Sequence, residues 1–323
     1  MTRFFSINAC GRLREDREGF GCSARSVASK TVTTPCVLCG GERFEEYCPG
    51  ILRCLGCTLV FADAELSDQE MLDLYGREYF FGEEYGDYLA DRRVHEKNSR
   101  RRLATLEKFL DPSRRGSLLE IGSAYGFFLD LARRRFDTVA GIEVNREGVE
   151  FAREKLGLQA TRGEFLEHDL EGRSFDVVCL WDVIEHLRSP HRYLEKIRDH
   201  SRPGSLIALT TGDVGSFNAR WRRGKWRLIH PPTHLYYFSR RTLQAMLEKY
   251  GYEVVYSRHC AVSRSVDNIL WTMTASKGRW PALHRALKKA GLLGWSVSLN
   301  LFDILYVIAR RKEPAGGCAS TVG

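Results

Sequence analysis

The sequence has no apolar run long enough to cross a bilayer, and its first residues lack the basic-then-apolar pattern of a secretory leader. Without those features, the ten cysteines read as thiols of a reducing cytoplasm rather than as a disulfide framework. The stretch Leu293 to Ala309 comes nearest to a span, but it is short and is broken by Asn300 and Asp303. Acids are also in deficit, with a net charge of +8 and a pI near 9.0. That balance attracts polyanions, and it equally suits an enzyme of nucleotide-linked or phosphorylated substrates. Residues 1–31 show no apolar period and are expected to form a disordered extension, with Glu15, Asp16 and Glu18 arguing against a transit peptide. The remaining chain, at 43% hydrophobic residues overall, can bury one large core with a small module beside it.

The rest is organised around Ser117-Leu-Leu-Glu120-Ile-Gly122-Ser123-Ala124-Tyr125-Gly126. An apolar run ends in an acid and breaks into small residues, and a helical pattern starts at Phe127, as a strand turning tightly into a helix would. A second apolar run, 138–142, ends at Glu143, twenty-one residues after Gly122, where a carboxylate could accept both hydroxyls of a ribose. Further strands are expected at 158–162, 177–181, 206–210 and 253–257, alternating with helices at 146–156, after Ser189 and after Ser239. This alternation predicts a doubly wound α/β sheet whose ligand lies outside the carboxyl ends of the strands. A nicotinamide dehydrogenase would share the corner. However, Ala124 and Tyr125 crowd the place of a pyrophosphate, and Glu120 suits a cationic ligand better than an anionic one.

From Glu120, Gly122 and Gly126, through Gly163-Glu164-Phe165 and Phe175 to His186, the sequence resembles the class I S-adenosylmethionine-dependent methyltransferases. Ala124 replaces the middle glycine of that family's loop. The resemblance implies a Rossmann-like, seven-stranded sheet with its last strand, from Asp303 to Arg311, antiparallel beside the sixth. It also implies S-adenosylmethionine as cofactor. The corner, Glu120 with Gly122, Ser123, Ala124, Tyr125 and Gly126, would hold the methionine part. Glu143 with Val144 would hold the ribose, Glu164 and Phe165 would flank the adenine, and Trp181 and Asp182 would close the end of the fourth strand. Each of these carboxylates has the alternative of being a helix cap or a surface acid.

Ahead of this domain, Cys36-x-x-Cys39 and Cys54-x-x-Cys57 are separated by fourteen residues, the spacing of a zinc ribbon. Four thiolates leave no open coordination position, so the expected zinc is structural. The expected organisation is extension 1–31, ribbon 32–63, helical connector 64–111, methyltransferase domain 112–312 with an insertion at 259–301, and a disordered tail 313–323. In the connector, Ser67 to Glu70 form a capping box, and Tyr79-Phe-Phe81, Tyr85 and Tyr88 either approach the donor, as in related ribbon-bearing enzymes, or only pack the ribbon on the sheet. Arg100, Arg101 and Arg102 read as a solvated helix face.

Methyl transfer to a hydroxyl needs a base, and histidine is the natural one near neutrality. The candidates are His234, His186 and His230, with the alternative for His234 of a structural histidine bonded to a backbone carbonyl. Asp182, Glu185 and His186 resemble the acid-acid-His metal site of quinone O-methyltransferases, but Glu185 and His186 are expected to begin a helix instead. Arg220 to Arg227, basic residues interleaved with Trp221 and Trp226, read as an RNA clamp, as a lid over an acceptor, or as a lid that its tryptophans merely anchor. The Asn/Asp-Pro-Pro-Tyr signature that resembles amino-directed base methyltransferases is absent. The sequence therefore points to methyl transfer onto a small-molecule or glycan acceptor. A zinc-ribbon RNA methyltransferase or a non-catalytic binder of the nucleoside is the alternative. Sugar C-methyltransferases resemble this arrangement but carry a further C-terminal domain for which the chain has no room.

Overall fold

The computed structural model describes residues 30–31, 34–63, 88–273, 280–291 and 293–313. The expected capping box at Ser67, the aromatic residues 79–81 and 85, most of the N-terminal extension and nearly all of the tail lie outside those residues. Strands β1 (Lys30–Thr31), β2 (Arg43–Cys48), β3 (Ile51–Cys54) and β4 (Val60–Ala62) pair antiparallel in that order. β1 thus lies where the sequence placed the end of a structureless extension. Helix α1 (Arg92–Leu106) follows, burying Val94, Leu103 and Leu106.

The alternating part then runs as expected. β5 (Ser117–Ile121) leads into α2 (Phe127–Ala132), β6 (Thr138–Glu143) into α3 (Arg146–Leu156), and β7 (Gln159–Arg162) into a 3-10 turn at Phe165–Glu167. Asn145 starts α3 by accepting the Gly148 N–H, and Gly157 ends it in the left-handed region. β8 (Phe175–Trp181) is buried along its whole length, as a central parallel strand should be. A 3-10 turn at Ile184–His186 separates it from α4 (Pro190–Asp199). β9 (Ser201–Gly212) starts earlier than the expected 206–210, with Pro203 and Gly204 forming an irregularity between the pairs Phe175–Ser201 and Val177–Leu206. Next come α5 (Phe217–Arg222), β10 (Tyr236–Tyr237), α6 (Arg240–Lys249, with a Ser239–Thr242 capping box) and β11 (Tyr252–His259). The insertion supplies β12 (Val262–Ser265), α7 (Val266–Met273), α8 (Pro281–Lys289) and β13 (Ser296–Leu299) before β14 (Ile304–Arg311).

The main sheet has the order β11-β14-β9-β8-β5-β6-β7, with β14 antiparallel to both its neighbours and the other pairings parallel. Strand order reverses between β5 and β8, so a crevice opens beyond their carboxyl ends. One face of the sheet packs Leu118, Val177, Cys179 and Ile308 against α1, α2 and α3. The other packs Leu119, Val178, Leu180 and Val307 against α4 and α6, and this core continues into the ribbon through Cys36, Phe44, Leu52 and Leu59. β10 also pairs with β4, so a strand from the sheet domain closes the edge of the ribbon. β12 and β13 form a separate two-stranded sheet.

Candidate functional site

At the end of β5 the chain turns through two left-handed residues, Gly122 (φ +73°) and Ala124 (φ +45°), before Gly126 (φ +78°) starts α2. A Cβ on Gly122 would stand 2.5 Å from Val183, and one on Gly126 2.8 Å from Leu158 and 3.1 Å from Ala152, so both positions exclude side chains. Ala124 holds its conformation at a cost of about 1–2 kcal/mol. Ala124→Gly is therefore expected to raise stability by up to about 1 kcal/mol after the loss from a freer unfolded chain, measured by denaturant unfolding.

The corner forms one wall of a cavity of about 1250 Å³. Glu120, Gly122, Ser123 and Ala124 line it, together with Glu143, Val144, Glu164, Phe165, Trp181 and Asp182, and all three candidate histidines reach it. Tyr125 and Gly126 do not line it, contrary to the expectation. After the turn at Ala124 the Tyr125 ring packs beneath the surface, stacked on Tyr88 with centroids 5.3 Å apart, while Gly126 faces α3.

Glu143 is buried and already engaged: its Oε2 accepts the Ala124 N–H (2.7 Å) and its Oε1 the Asn145 N–H (2.8 Å). Burial raises its pKa, offset only in part by the backbone amides of Asn145, Ala124 and Val144. Glu120 differs. It is buried, its Oε2 has no hydrogen-bond partner among the described residues, and burial holds its carboxyl well above the usual range despite the opposing field of Arg102. Glu164 accepts the Tyr193 hydroxyl and caps the 3-10 turn through the Leu166 N–H (3.3 Å). Phe165 lies against Tyr193 (5.2 Å between centroids) with the Lys196 ammonium 5.0 Å from its ring.

Arg102 corrects the reading of a solvated face. Its Nη2 donates to Asp182 Oδ2 (2.6 Å) and its guanidinium lies 5.0 Å from the Trp181 ring, so α1 is clamped over the end of β8. Asp182, itself left-handed at φ +56°, also accepts from Thr210 Oγ1 (2.9 Å). His95 and Asn98 from the same helix line the cavity, as do Ser263 and Asn268 from the insertion.

The histidines converge. His186 Nδ1 donates to the Thr233 carbonyl (2.8 Å) and His234 Nδ1 to the Leu228 carbonyl (2.9 Å), and their rings stand edge to face with centroids 4.6 Å apart. Burial, with the neighbouring His186 and His230, pushes the His234 pKa well below 6.5. Its neutral ring therefore carries a lone pair on Nε2 at neutral pH. Glu185, His186 and His234 bring one ligand atom each within 4.8 Å of one another. Glu185 Oε2 lacks a hydrogen-bond partner among the described residues, and burial, followed by Asp182, pushes its pKa up to about 8. Glu185 and His186 lie in a single 3-10 turn and not at the start of a helix, because Pro190 opens α4 only after an extended Leu187.

In the Arg220–Arg227 segment, Trp226 is buried and donates to Asp303 (3.0 Å), as does Arg227 (2.8 Å), whereas Trp221 is exposed. One tryptophan anchors the segment and the other does not.

In the ribbon, the four sulfurs of Cys36, Cys39, Cys54 and Cys57 also lie within 4.8 Å of one another. Cys36–Cys57 and Cys39–Cys54 are each 3.5 Å apart, too far for disulfides and near the roughly 3.8 Å that four sulfurs about 2.3 Å from one tetrahedral ion would keep. A Cβ at Gly41 or Gly56 would come within 3.3 Å of Cys39 Sγ.

Residues 90–257, more than half of the chain, match a family model described as a methyltransferase domain. Among solved structures the chain is similar to a Galdieria sulphuraria protein provisionally assigned as a sarcosine dimethylglycine methyltransferase (14% identity, 68% of this chain, 88% of that one, TM-score 0.48). It is similar also to magnesium protoporphyrin IX methyltransferase of Synechocystis PCC 6803 with bound SAH (12% identity, 73% and 92% covered, TM-score 0.47). An S-adenosylmethionine-dependent methyltransferase of Mesorhizobium loti shares 15% identity over 64% and 96% of the two chains, with a TM-score of 0.44. No curated protein sequence matches.

Proposed function

Because the chain belongs to the class I S-adenosylmethionine-dependent methyltransferases, we propose that it methylates a hydroxyl of a glycan, sugar nucleotide or specialised metabolite, with His234 as general base and a structural zinc in the ribbon. The observation that carries this reading is the placement of the His234 imidazole, held through Nδ1 by the Leu228 carbonyl on a wall of the same cavity as the glycine corner, where burial pushes its pKa well below 6.5. At about 1250 Å³ the cavity exceeds the roughly 300–1,000 Å³ of a single drug-sized ligand, leaving room for donor and acceptor together.

The corner fits a cationic donor. The unpartnered buried oxygen of Glu120 calls for a cation or a proton donor, and Ser123 Oγ, also buried and without a hydrogen-bond partner among the described residues, accepts or donates one more bond. The Glu143 carboxylate keeps acceptor capacity for a ribose hydroxyl beside the amides it already binds. When bound, the donor supplies an electrophilic methyl on sulfur, open to in-line displacement. His234 Nε2 takes the acceptor's hydroxyl proton as the acceptor oxygen takes the methyl. Arg102 and Asp182 hold α1 over the reaction space and so restrict water.

Glu120 gives a pH prediction. Its carboxyl is protonated above the ordinary range near 4.5, and a bound cation favours the carboxylate, so donor binding releases a proton. Donor affinity should therefore rise, by up to about tenfold per pH unit, between 4.5 and the raised value. Glu120→Gln should flatten that rise and weaken binding by about tenfold or more. For the free protein the sign is opposite: stability held below the unfolded pKa is lost as pH rises through the folded one, so Glu120→Gln stabilises it at neutral pH. Calorimetric titration across pH, with thermal unfolding beside it, checks both.

The acceptor class is tested by transfer of label from methyl-labelled donor into extract fractions, with and without nuclease, using Glu143→Ala as blank. Entry into a nuclease-resistant pool supports the metabolite or glycan reading, and entry into a nuclease-sensitive pool replaces it with RNA. Donor binding without any product would make the protein a binding module.

A second reading puts a divalent cation on Glu185, His186 and His234. The carbonyl bonds at both Nδ1 atoms leave each Nε2 as the ligating nitrogen, the usual orientation of metal-bound histidine. Metal analysis separates the two readings: one equivalent per chain for the ribbon alone, two if this cluster is also loaded.

A further inference from the structure

The insertion between β11 and β14 is built inside out. In the β12–β13 pair, Ser263 faces Ser298 and Ser265 faces Ser296, while Val262 faces Leu299 and Arg264 faces Val297. Opposed residues share a face. The serine face turns in toward α1: Asn98 exchanges two hydrogen bonds with the Ser263 backbone (2.9 and 2.8 Å), and Arg101 donates to Ser263 (3.0 Å) and Ser298 (3.1 Å). The other face turns out and carries Val262, Val297 and Leu299 with a single charge, Arg264. On it Val297 is 39% and Leu299 53% exposed, and flanking the strand Trp295 is 76%, Leu301 48% and Phe302 64% exposed. A strand lying on a protein normally hides its apolar face and wets its polar one. Here the polar side is satisfied within the fold, and the apolar side lacks a cover among the described residues.

The surroundings identify the cover. Among the described residues from 258 to 302, Arg258, Arg264, Arg285, Lys288 and Lys289 are exposed, against one acid, Asp267, which is itself paired with His284 (2.8 Å) and Lys288 (2.7 Å). α5 is tied to the same end by the bond from Asn218 to Asp303 (2.9 Å), and it presents exposed Phe217 and Trp221 among further arginines. A second copy docked symmetrically would bring these cations onto one another. A nucleic acid would gain nothing from Leu299 or Leu301, which offer no stacking plane. Exposed tryptophan and aliphatic side chains, with Arg264 on the same face as Val297 and an excess of basic residues in the same insertion, match the headgroup boundary of an anionic bilayer. No described helix is long and apolar enough to cross a membrane, so the contact is peripheral.

We propose that the outward face of β13, with Trp295, Leu299, Leu301 and Phe302, docks the protein on an anionic lipid surface. Val262, Ser263 and Arg264 of the adjoining β12 line the cavity, so docking brings its rim to headgroup level. The consequence for substrate rests on the methyl-transfer reading: the acceptor hydroxyl is one displayed on a lipid-linked molecule.

The test is flotation of the full chain with phosphatidylglycerol-containing vesicles and with phosphatidylcholine vesicles alone. Binding is expected to the first, weakened by salt, and Trp295→Ser/Leu299→Ser should lower the partition coefficient about tenfold or more, with donor affinity and thermal unfolding unchanged. Arg285→Ser/Lys289→Ser, exposed changes that leave the core alone, should lower it several-fold on anionic vesicles only. Equal partition onto both vesicle types overturns the proposal. So does a solution dimer that the Trp295 variant dissociates, which would assign the face to a second copy, or single-stranded RNA binding that the same variant abolishes. Vesicle binding needs neither donor nor turnover, so a protein that floats but transfers no methyl group refutes the functional reading and leaves this one standing.

Discussion

Cys54→Ser is expected to remove the ribbon's metal, lower the melting temperature by about 10 °C or more, and depress turnover further than donor affinity. Cys54 is fully buried, with its sulfur 3.5 Å from that of Cys39. Structural zinc contributes on the order of 10–16 kcal/mol in small ribbons, comparable to the whole 5–15 kcal/mol that a typical domain retains. The ribbon has no apolar core of its own: Phe44, Leu52 and Leu59 join the core that includes α6, and Ile51, Val60 and Ala62 pack with Trp226, Leu235 and Tyr237. The effect on turnover follows from connectivity. The Ala62 N–H of β4 donates to the Leu235 carbonyl (2.8 Å), and the Leu235 N–H donates to the Glu185 carbonyl (2.8 Å), so β4 holds the segment that carries His234 beside the turn that carries His186. Loosening the ribbon frees both histidines while leaving the corner around Gly122 supported by the main sheet. Since burial pushes the Cys36 thiol up to about 11, metal uptake must displace protons, and zinc affinity should fall as pH is lowered. Metal analysis, scanning calorimetry and separate measurements of donor binding and kcat check the claim. A metal-free Cys54→Ser protein that melts like the wild type would refute a structural zinc.

The parts of the fold legible in the sequence are those where local pattern and tertiary role coincide. The alternation of apolar runs with capped helices marked β5 to β9, because a central parallel strand such as β8 needs an unbroken apolar run and a helix needs its Asn145 or Ser239. β9 begins before the apolar run 206–210 because Ser201 already pairs with Phe175, ahead of Pro203 and Gly204. Arg102 was misread for a different reason. Its charge argues for exposure, yet Arg102 lies four residues before the fully buried Leu106 and seven after the cavity-lining His95, on the inward stripe of α1. That spacing was available; what the sequence could not supply was Asp182, eighty residues away, as the partner that makes burial of the guanidinium tolerable. The inverted face of β13 was hidden likewise, since Trp-Ser-Val-Ser-Leu alternates correctly for a strand and only the structure tells which face is turned out.

His234→Ala is expected to lower kcat by about 10²–10⁴ while leaving donor affinity within about twofold, the signature of a lost proton acceptor. The wild-type pH profile supplies an independent check. An ordinary histidine base loses activity as pH falls through about 6.5. Burial first, then the fields of His186 and His230, hold His234 neutral well below that value, so the acid limb of kcat/KM should lie below 6.5. Removing a neighbour should move it: His230→Ala deletes one of the opposing fields and lets in water, so the limb should shift upward toward the ordinary range. A structural histidine would not behave this way, because its loss would lower stability and activity together and leave the position of the limb unchanged. If His234→Ala instead keeps turnover but lowers bound metal from two equivalents to one, the imidazole is a ligand. The acceptor proton then leaves by another group, for which the cavity offers His230, whose ring Nδ1 is fixed by Thr233 Oγ1 (2.6 Å).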